Sequence, residues 1–168
     1  MLRRTLALLC MAVASYGAFP RPLADIPIPT PSGPPIKLSQ YRGKVMVVLI
    51  VLTTCEHCGH AAELLNDLQK EHANDFQAIG VAANPEAPKQ TANFRQTHHL
   101  TYPFGYLVNE DSIMKLADFK RVDHPLSPMW IFVDRTGTVK FQYTADNDTF
   151  FKKEDENVRT LVEGLLKK

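Results

Sequence analysis

Apolar residues along the chain form runs and helical spacings that predict alternating strands and helices. The run Val45–Leu52 has no polar position and is rich in β-branched residues, which is typical of a strand covered on both faces. A second run of this kind spans Phe76–Ala83. Between them, from Cys58 to about Glu71, apolar residues recur at the spacing of an amphipathic helix. This order predicts a strand–helix–strand unit with parallel strands.

After the second strand the pattern predicts two helices separated by an ambiguous stretch. A break containing two prolines precedes a helical segment over residues 88–99. Residues 101–110 fit neither a helix nor a strand. A short helix follows over residues 111–118, with Asp111 or Ser112 as its cap.

The last third of the chain predicts a hairpin and a final helix. Met129–Asp134 and Thr138–Tyr143 are rich in strand-forming residues and flank the turn Arg135-Thr136-Gly137. Glu154–Leu166 has the apolar spacing of a helix with one buried face. The chain is therefore predicted to be an α/β protein with a mixed sheet.

The first residues are organised like a secretory signal peptide. Arg3 and Arg4 form a basic head, and the apolar stretch over residues 6–14 is too short to span a bilayer. Ala12-Val13-Ala14 matches the small-residue pattern of a cleavage site, so we expect the mature chain to begin between residues 15 and 18. This pattern predicts an exported protein, located in the periplasm or cell envelope of a bacterium, without a membrane span in the mature chain.

Removal of such a signal changes the cysteine content. Cys10 lies within the signal, so Cys55 and Cys58 become the only thiols of the mature chain. A lipid-modified Cys10 is the competing interpretation, but Leu9 stands where a lipoprotein site has a small residue. A single pair of cysteines in an exported protein fits an oxidising compartment.

Proline density marks a boundary between the signal and the domain. Seven prolines lie between residues 20 and 35, which predicts an extended leader. We therefore divide the chain into a signal peptide over residues 1–17, a leader over 18–35 and one domain over 36–168.

Composition and charge narrow the functional classes. With 168 residues, 45% of them apolar and 22% charged, the chain suffices for one domain with a core. Its formal charge of +1, or −1 without the two arginines of the signal, argues against a nucleic-acid binder. Small molecules or protein thiols are the expected partners.

Cys55 and Cys58 lie where the first long strand ends and its helix begins. Residues at positions i and i+3 of a helical turn are about 5–6 Å apart, within the range that a disulfide spans. A cysteine at a helix N-terminus also meets unpaired backbone N–H groups and the positive end of the helix dipole, which favour the thiolate. The motif predicts a redox pair in which Cys55 is the nucleophile and Cys58 the resolving thiol.

The same cysteines could instead form half of a zinc site or a structural disulfide. A zinc site needs two further ligands, and the available histidines lack the usual spacing. These histidines are His57, His60, His98 and His99. A disulfide that closes so short a loop adds little stability. We assign no metal ligand and no cofactor.

The two residues between the cysteines are candidates for tuning the redox pair. The imidazole of His57 can donate a hydrogen bond or partial positive charge to the Cys55 thiolate, which stabilises the reduced form. The carboxylate of Glu56 opposes this effect, although solvent ions screen it. The sequence leaves the net direction open.

Three features together resemble the thioredoxin-like TlpA/redoxin family. They are the strand–CxxC–helix start, the entry segment Leu38-Ser39-Gln40-Tyr41-Arg42-Gly43-Lys44, and Ser127-Pro128 ahead of Trp130–Gly137. The resemblance covers about residues 36–166 and implies a thioredoxin fold, with a central mixed sheet flanked by helices. It also implies that Pro128 is a cis-proline beside the CxxC, where it holds substrate backbone and keeps metals off the thiols.

The family further implies a β-α insertion after the second core strand, which the segment from Glu86 to about Tyr106 can supply. Some members carry an acidic residue near the thiols there, and Glu86 is the candidate in this chain. This sequence departs from the family where Thr54 replaces the usual tryptophan and where Glu56-His57 replaces proline-containing pairs. Both departures concern redox potential and partner choice, not exchange chemistry.

Two other functions are compatible with the same fold. A peroxiredoxin-like peroxidase needs proline and a hydroxyl residue seven and three positions before its cysteine, where this chain has Val48 and Leu52. A thioredoxin-fold copper-delivery protein uses CxxxC with a distant histidine, and the spacing here is one residue shorter. We therefore predict a thiol–disulfide oxidoreductase that exchanges disulfides with protein substrates and with an upstream redox partner. The direction of electron flow and the oligomeric state remain open.

Overall fold

The computed structural model describes residues 20–118 and 127–168, so the predicted signal peptide and Cys10 lie outside the described residues. The strands are β1 (Arg21–Pro22), β2 (Val45–Val51), β3 (Phe76–Ala82), β4 (Phe104–Tyr106), β5 (Met129–Val133) and β6 (Thr138–Tyr143). The helices are α1 (Glu56–Glu71), α2 (Ala87–Thr97), α3 (Glu110–Ala117), α4 (Asp148–Phe151) and α5 (Glu154–Leu166), with a 3-10 turn over Leu38–Tyr41.

The strands form one mixed sheet in the order β1-β6-β5-β2-β3-β4. The predicted parallel pairing of the first two long strands is confirmed, since β2 and β3 pair along their whole length. β4 extends the parallel part, whereas β5 pairs antiparallel with β2 and β6 pairs antiparallel with β5. The predicted hairpin is therefore present, and β2 lies inside the sheet with a neighbour on each side.

Strand β2 is buried on both faces, as its unbroken apolar run predicts. Val47 and Leu49 belong to a core that also contains residues of α1, α2 and α5. Val48 and Ile50 belong to a second core with residues of α3 and the 3-10 turn. Side chains alternate between the faces of a strand, so β2 contributes to both cores and sits between two layers of helices.

The proline-rich leader contacts both ends of the sheet. β1 pairs with β6, and the carbonyl of Pro29 accepts a hydrogen bond of 2.9 Å from the backbone N–H of Tyr106 in β4. Ile28, between these contacts, is completely buried and forms an isolated bridge with Ile36. The leader thus covers backbone groups of β6 and β4, which would otherwise be open to pairing with other chains.

Three local details differ from the sequence prediction or extend it. Helix α3 begins after Asn109, whose side chain accepts a hydrogen bond of 3.0 Å from the Ser112 N–H, so the predicted caps Asp111 and Ser112 are wrong. Asn109 has an extended backbone and is itself a good capping residue, which places the helix start earlier. In the segment expected to hold the insertion, helix α2 comes first and strand β4 follows. Helix α4 has only four residues and was not predicted.

Within residues 20–118 and 127–168, no helix combines the length and apolar character needed to cross a membrane.

Candidate redox site

Cys55 is the N-cap residue of α1. Its backbone is extended, and its sulfur accepts a hydrogen bond from the Cys58 backbone N–H with an N–S distance of 3.3 Å. β2 ends at Val51, so only three residues separate the sheet from this cap. The side chain is partly exposed. This position gives Cys55 access to solvent while the start of α1 directs its N–H groups toward the sulfur.

Cys58 lies one turn further into α1 and has no exposed surface. Burial raises the pKa of its thiol, and the hydrogen bond with Cys55 raises it further. The charges of Cys55 and Glu154 act in the same direction. The two cysteines of the motif therefore differ in access: Cys55 faces solvent, whereas Cys58 is a protonated thiol inside the core.

A buried carboxylate lies beside the motif. Glu154, the first residue of α5, is only 5% exposed. Its Oε2 lies 2.7 Å from Nε2 of His57, and its Oε1 accepts a hydrogen bond of 2.7 Å from the indole Nε1–H of Trp130. The side chain of His57 is 48% exposed. Glu154 thus connects the interior of the sheet to the half-exposed ring between the two cysteines.

Aromatic packing holds the start of α5 against the sheet. Phe150 in α4 stacks on Tyr143 in β6 with ring centroids 4.0 Å apart and an interplanar angle of 8°. The adjacent Phe151 contacts the ring of His57 edge to face at 5.6 Å. Asn157 donates a hydrogen bond of 2.8 Å to the Phe150 carbonyl, which joins α4 to α5. These contacts bring Glu154 to the CxxC turn although almost 100 residues separate them in the chain.

Pro128 follows a cis peptide bond from Ser127. It immediately precedes β5, whose first residue, Met129, pairs with Ile50 near the end of β2. Because Cys55 follows the same end of β2, Pro128 and the CxxC turn lie at one edge of the sheet. The cis bond that the resemblance implies is present, and its role toward substrate belongs to the proposal below.

The other two acidic candidates differ from Glu154 in their surroundings. Glu56 is exposed in the first turn of α1, where a negative charge suits the helix dipole. Glu86 is exposed and accepts a hydrogen bond of 3.3 Å from Asn84. Asn84 in turn accepts from the backbone N–H of Thr53 at 3.0 Å, just before the motif. Glu154 is a carboxylate whose charge contributes to raising the pKa of Cys58, and the tuning roles of Glu56 and Glu86 stay predictions.

Three of the four histidines considered as metal ligands, His57, His60 and His98, contact carboxylates. His98 Nδ1 lies 2.7 Å from Glu63, and His60 Nε2 lies 3.0 Å from Asp155. Side-chain atoms of His60, Glu154 and Asp155 lie within 4.8 Å of one another, close enough to share a cation. All three already have hydrogen-bond partners, and His60 and Asp155 are exposed. We give this group no metal-binding role.

Sequence reasoning missed Glu154 and Trp130. Glu154 opens a helix together with Asp155 and Glu156, and acidic residues at a helix start are usually solvent-exposed partners of the helix dipole. Trp130 offered a signal, because an indole N–H in a strand buried on both faces needs an acceptor. Only the fold identifies that acceptor as Glu154.

The strand order, the CxxC at the start of α1 and the cis-proline before β5 define a thioredoxin fold. A redoxin family model matches residues 22–162, and the chain belongs to the redoxin family. This match includes most of the leader, consistent with its contacts to the sheet.

Known proteins with related sequences or folds agree with this class. The chain is 26% identical over 134 residues to the thioredoxin-like protein YneN of Bacillus subtilis, covering 79% of this chain and 73% of the relative. A thiol:disulfide interchange protein from Chlorobium tepidum has the same fold, with a TM-score of 0.72, 21% identity and coverage of 89% and 98%. A DsbF homologue from Corynebacterium diphtheriae matches with a TM-score of 0.70, 15% identity and 88% coverage of both chains.

Proposed function

We propose that this protein is an exported thiol–disulfide oxidoreductase that exchanges disulfides with partner proteins through Cys55 and Cys58. The observation that carries the proposal is the unequal environment of the two thiols. Cys55 caps α1 and is partly exposed, whereas Cys58 is completely buried. An exposed nucleophile next to a protected second thiol suits a reaction through a mixed disulfide.

In the reductive direction, the Cys55 thiolate attacks a substrate disulfide and releases one substrate thiolate. The Cys58 sulfur then attacks Cys55, which forms the Cys55–Cys58 bond and releases the second substrate sulfur. Two electrons pass from the cysteine pair to the substrate. The reverse reaction uses the same atoms, and neither direction requires a metal or organic cofactor.

Pro128 is the proposed contact for substrate backbone. Its position before β5, level with the end of β2, supports this role because the CxxC turn follows that same strand end. Glu56 and His57 are the proposed tuning residues on the exposed side of the motif. His57 is also in contact with Glu154, which links its influence to the interior.

Serine variants of the two cysteines test the mechanism. Cys55→Ser is expected to abolish reduction of insulin or a model disulfide, because no nucleophile remains at the exposed position. Cys58→Ser retains the first attack and is expected to accumulate a mixed disulfide at Cys55, detected by mass spectrometry. Full activity of Cys55→Ser, or tight stoichiometric copper binding without exchange by the wild type, would contradict the proposal.

Two measurements settle direction and location. A redox titration against glutathione gives the potential of the Cys55–Cys58 pair: a value of about −270 mV indicates a reductase, and about −120 mV an oxidase. N-terminal sequencing of the protein from the periplasmic fraction is expected to begin between residues 15 and 18. A chain that stays in the cytoplasm with its Met1 intact would contradict export.

A further inference from the structure

We propose that Asn84 is a positioning residue for the redox pair: it holds the turn before Cys55 in the geometry that lets the Cys58 sulfur reach the Cys55 sulfur. This inference rests on the proposed function. Asn84 follows the end of β3 and is only 6% exposed. Because β2 and β3 run parallel and end side by side, its side chain reaches Thr53, in the turn that joins β2 to α1.

The turn before Cys55 contains a backbone donor that needs an outside acceptor. The Cys55 N–H donates to the Leu52 carbonyl at 3.1 Å, which closes the turn. This bond does not use the Thr53 N–H, which must find its acceptor elsewhere. Oδ1 of Asn84 accepts from that N–H at 3.0 Å and from the Thr53 hydroxyl at 3.0 Å. One side-chain oxygen therefore attaches the middle of the turn to the end of β3.

The nitrogen of the Asn84 amide attaches the same side chain to α2. A backbone N–H can only donate, so the atom that faces Thr53 is the amide oxygen, and Nδ2 points the other way. Nδ2 donates to Oε1 of Gln90 at 3.1 Å and to Oε2 of Glu86 at 3.3 Å. A buried amide that accepts two hydrogen bonds and donates two holds a single orientation. The turn is thus tied to α2 as well as to the sheet.

This attachment bears on the reaction because the turn ends at the nucleophile. The turn places Cys55 at the N-cap of α1, where its sulfur accepts the hydrogen bond from the Cys58 N–H. In the resolving step, the Cys58 sulfur attacks the Cys55 sulfur, and the bond from Cys55 to the substrate sulfur breaks. The substrate leaves with the electron pair as a thiolate, and the Cys58 proton is released to solvent. This attack requires alignment of three sulfur atoms, so its rate responds to small displacements of Cys55.

Asn84→Ala removes the anchor, and one equivalent of the aromatic disulfide dithiobis(nitrobenzoate) reports the two steps separately. Attack by Cys55 releases one thionitrobenzoate and resolution by Cys58 releases the second, so absorbance rises in two phases. The second phase is expected to slow by about 10-fold, because misplaced reacting groups lose rate steeply. The first phase is expected to slow by no more than about threefold, the effect of weakening one hydrogen bond to the Cys55 sulfur.

Asn66→Ala is the matched control. Asn66 is 4% exposed, and its Oδ1 likewise accepts from the backbone N–H and the hydroxyl of one threonine, Thr101, at 2.8 Å and 2.9 Å. These bonds join the middle of α1 to the segment after α2, not to the turn before Cys55. Asn66→Ala should therefore lower the melting temperature much as Asn84→Ala does, yet show both phases at the wild-type rate.

Thr53→Val gives a second, milder test. Valine has nearly the shape of threonine and keeps the backbone N–H, so only the hydroxyl contacts with Asn84 and Gln90 are lost. The second phase is expected to slow by about twofold.

A wild-type second phase in folded Asn84→Ala overturns the positioning role, as does an equal slowing in Asn66→Ala. If Asn84→Ala does not fold, a wild-type second phase in Thr53→Val overturns it. A wild-type protein that releases only one thionitrobenzoate, or that reduces no insulin, overturns the proposed function instead.

Discussion

The site is built from two regions of the chain. One is a contiguous segment, and the other brings together residues that are distant in the chain. The first region, β2 with the CxxC turn and α1, places both thiols within one continuous stretch from Val45 to Glu71. The second region, from Pro128 to the end of α5, contributes groups that are far apart in the chain: Trp130 and Glu154 are 24 positions apart. Local chain geometry thus positions the thiols, whereas packing between elements positions the groups that act on them.

The two regions also bury polar groups differently. In the first region, a single helical turn separates a partly exposed thiol from a buried one, so the difference follows from α1 lying on the sheet. In the second, Glu154 is buried while Asp155, the next residue, has a side chain that is 57% exposed. That contrast requires specific hydrogen-bonding partners for the buried carboxylate, which the Trp130 indole N–H and the His57 ring supply.

The largest expected effect on stability comes from removing the donor that holds the buried carboxylate. Trp130→Phe leaves Glu154 Oε1 without its hydrogen bond and reduces core volume, at an expected cost of about 2–4 kcal/mol in the free energy of unfolding. Urea unfolding measures this cost. In a Glu154→Gln background the loss should be smaller, because the unpaired atom is no longer charged.

If Trp130→Phe lowers the free energy of unfolding equally in the wild type and in Glu154→Gln, Trp130 stabilises the fold through packing alone. The second region would then differ from an ordinary apolar core in no energetic respect.

A smaller effect compares a glycine in the helix of each region. In α1, an alanine Cβ at Gly59 would lie 2.4 Å from the His98 ring. This overpacking should lower the free energy of unfolding by about 1–3 kcal/mol. The higher helix propensity of alanine offsets up to about 1 kcal/mol of that loss. In α5, Gly164 is exposed and has open space around it, so Gly164→Ala should stabilise by about 0.5–1 kcal/mol. Urea unfolding of both variants checks the contrast. A stabilising Gly59→Ala would mean that the His98 ring does not constrain α1.

The smallest expected effect concerns the hairpin turn between β5 and β6 in the second region. The hydrogen bonds of this turn join residues that are close in the chain. Asp134 accepts hydrogen bonds from Thr136 and Thr138. Partial burial raises the pKa of Asp134, but these hydrogen bonds outweigh it, and the pKa lies below its ordinary value of 3.8. The Asp134 carboxylate therefore stabilises the folded protein at pH values above its unfolded-state pKa. This contribution is lost as the pH falls through its lower folded-state pKa.

Asp134→Asn should therefore be less stable than the wild type by about 1 kcal/mol at pH 7, with the difference shrinking as the pH falls below about 3.8. Thermal unfolding across pH measures it, and disulfide exchange at pH 7 should be unchanged. A difference that persists to pH 2 would assign the effect to side-chain shape rather than charge.

Much of the fold was predictable because its signals are local. The unbroken apolar run of β2, the helical spacing of α1 and the turn between β5 and β6 each lie within a few residues of the structure they produce. Prediction was less reliable where two local choices compete. The start of α3 could be capped by Asn109, Asp111 or Ser112, and the earliest of these residues is the cap.

The redox pair is readable from the chain alone, because its spacing, its place at a strand–helix junction and the identity of the exposed and buried thiols follow from one contiguous segment. Packing between distant elements determines which acidic residue is buried beside His57. Three acidic residues open α5, and their order along the chain does not distinguish them. The packing of α4 and α5 on β5 and β6 turns Glu154 alone toward Trp130 and His57, because burial of a carboxylate depends on partners that the fold brings together from distant parts of the chain.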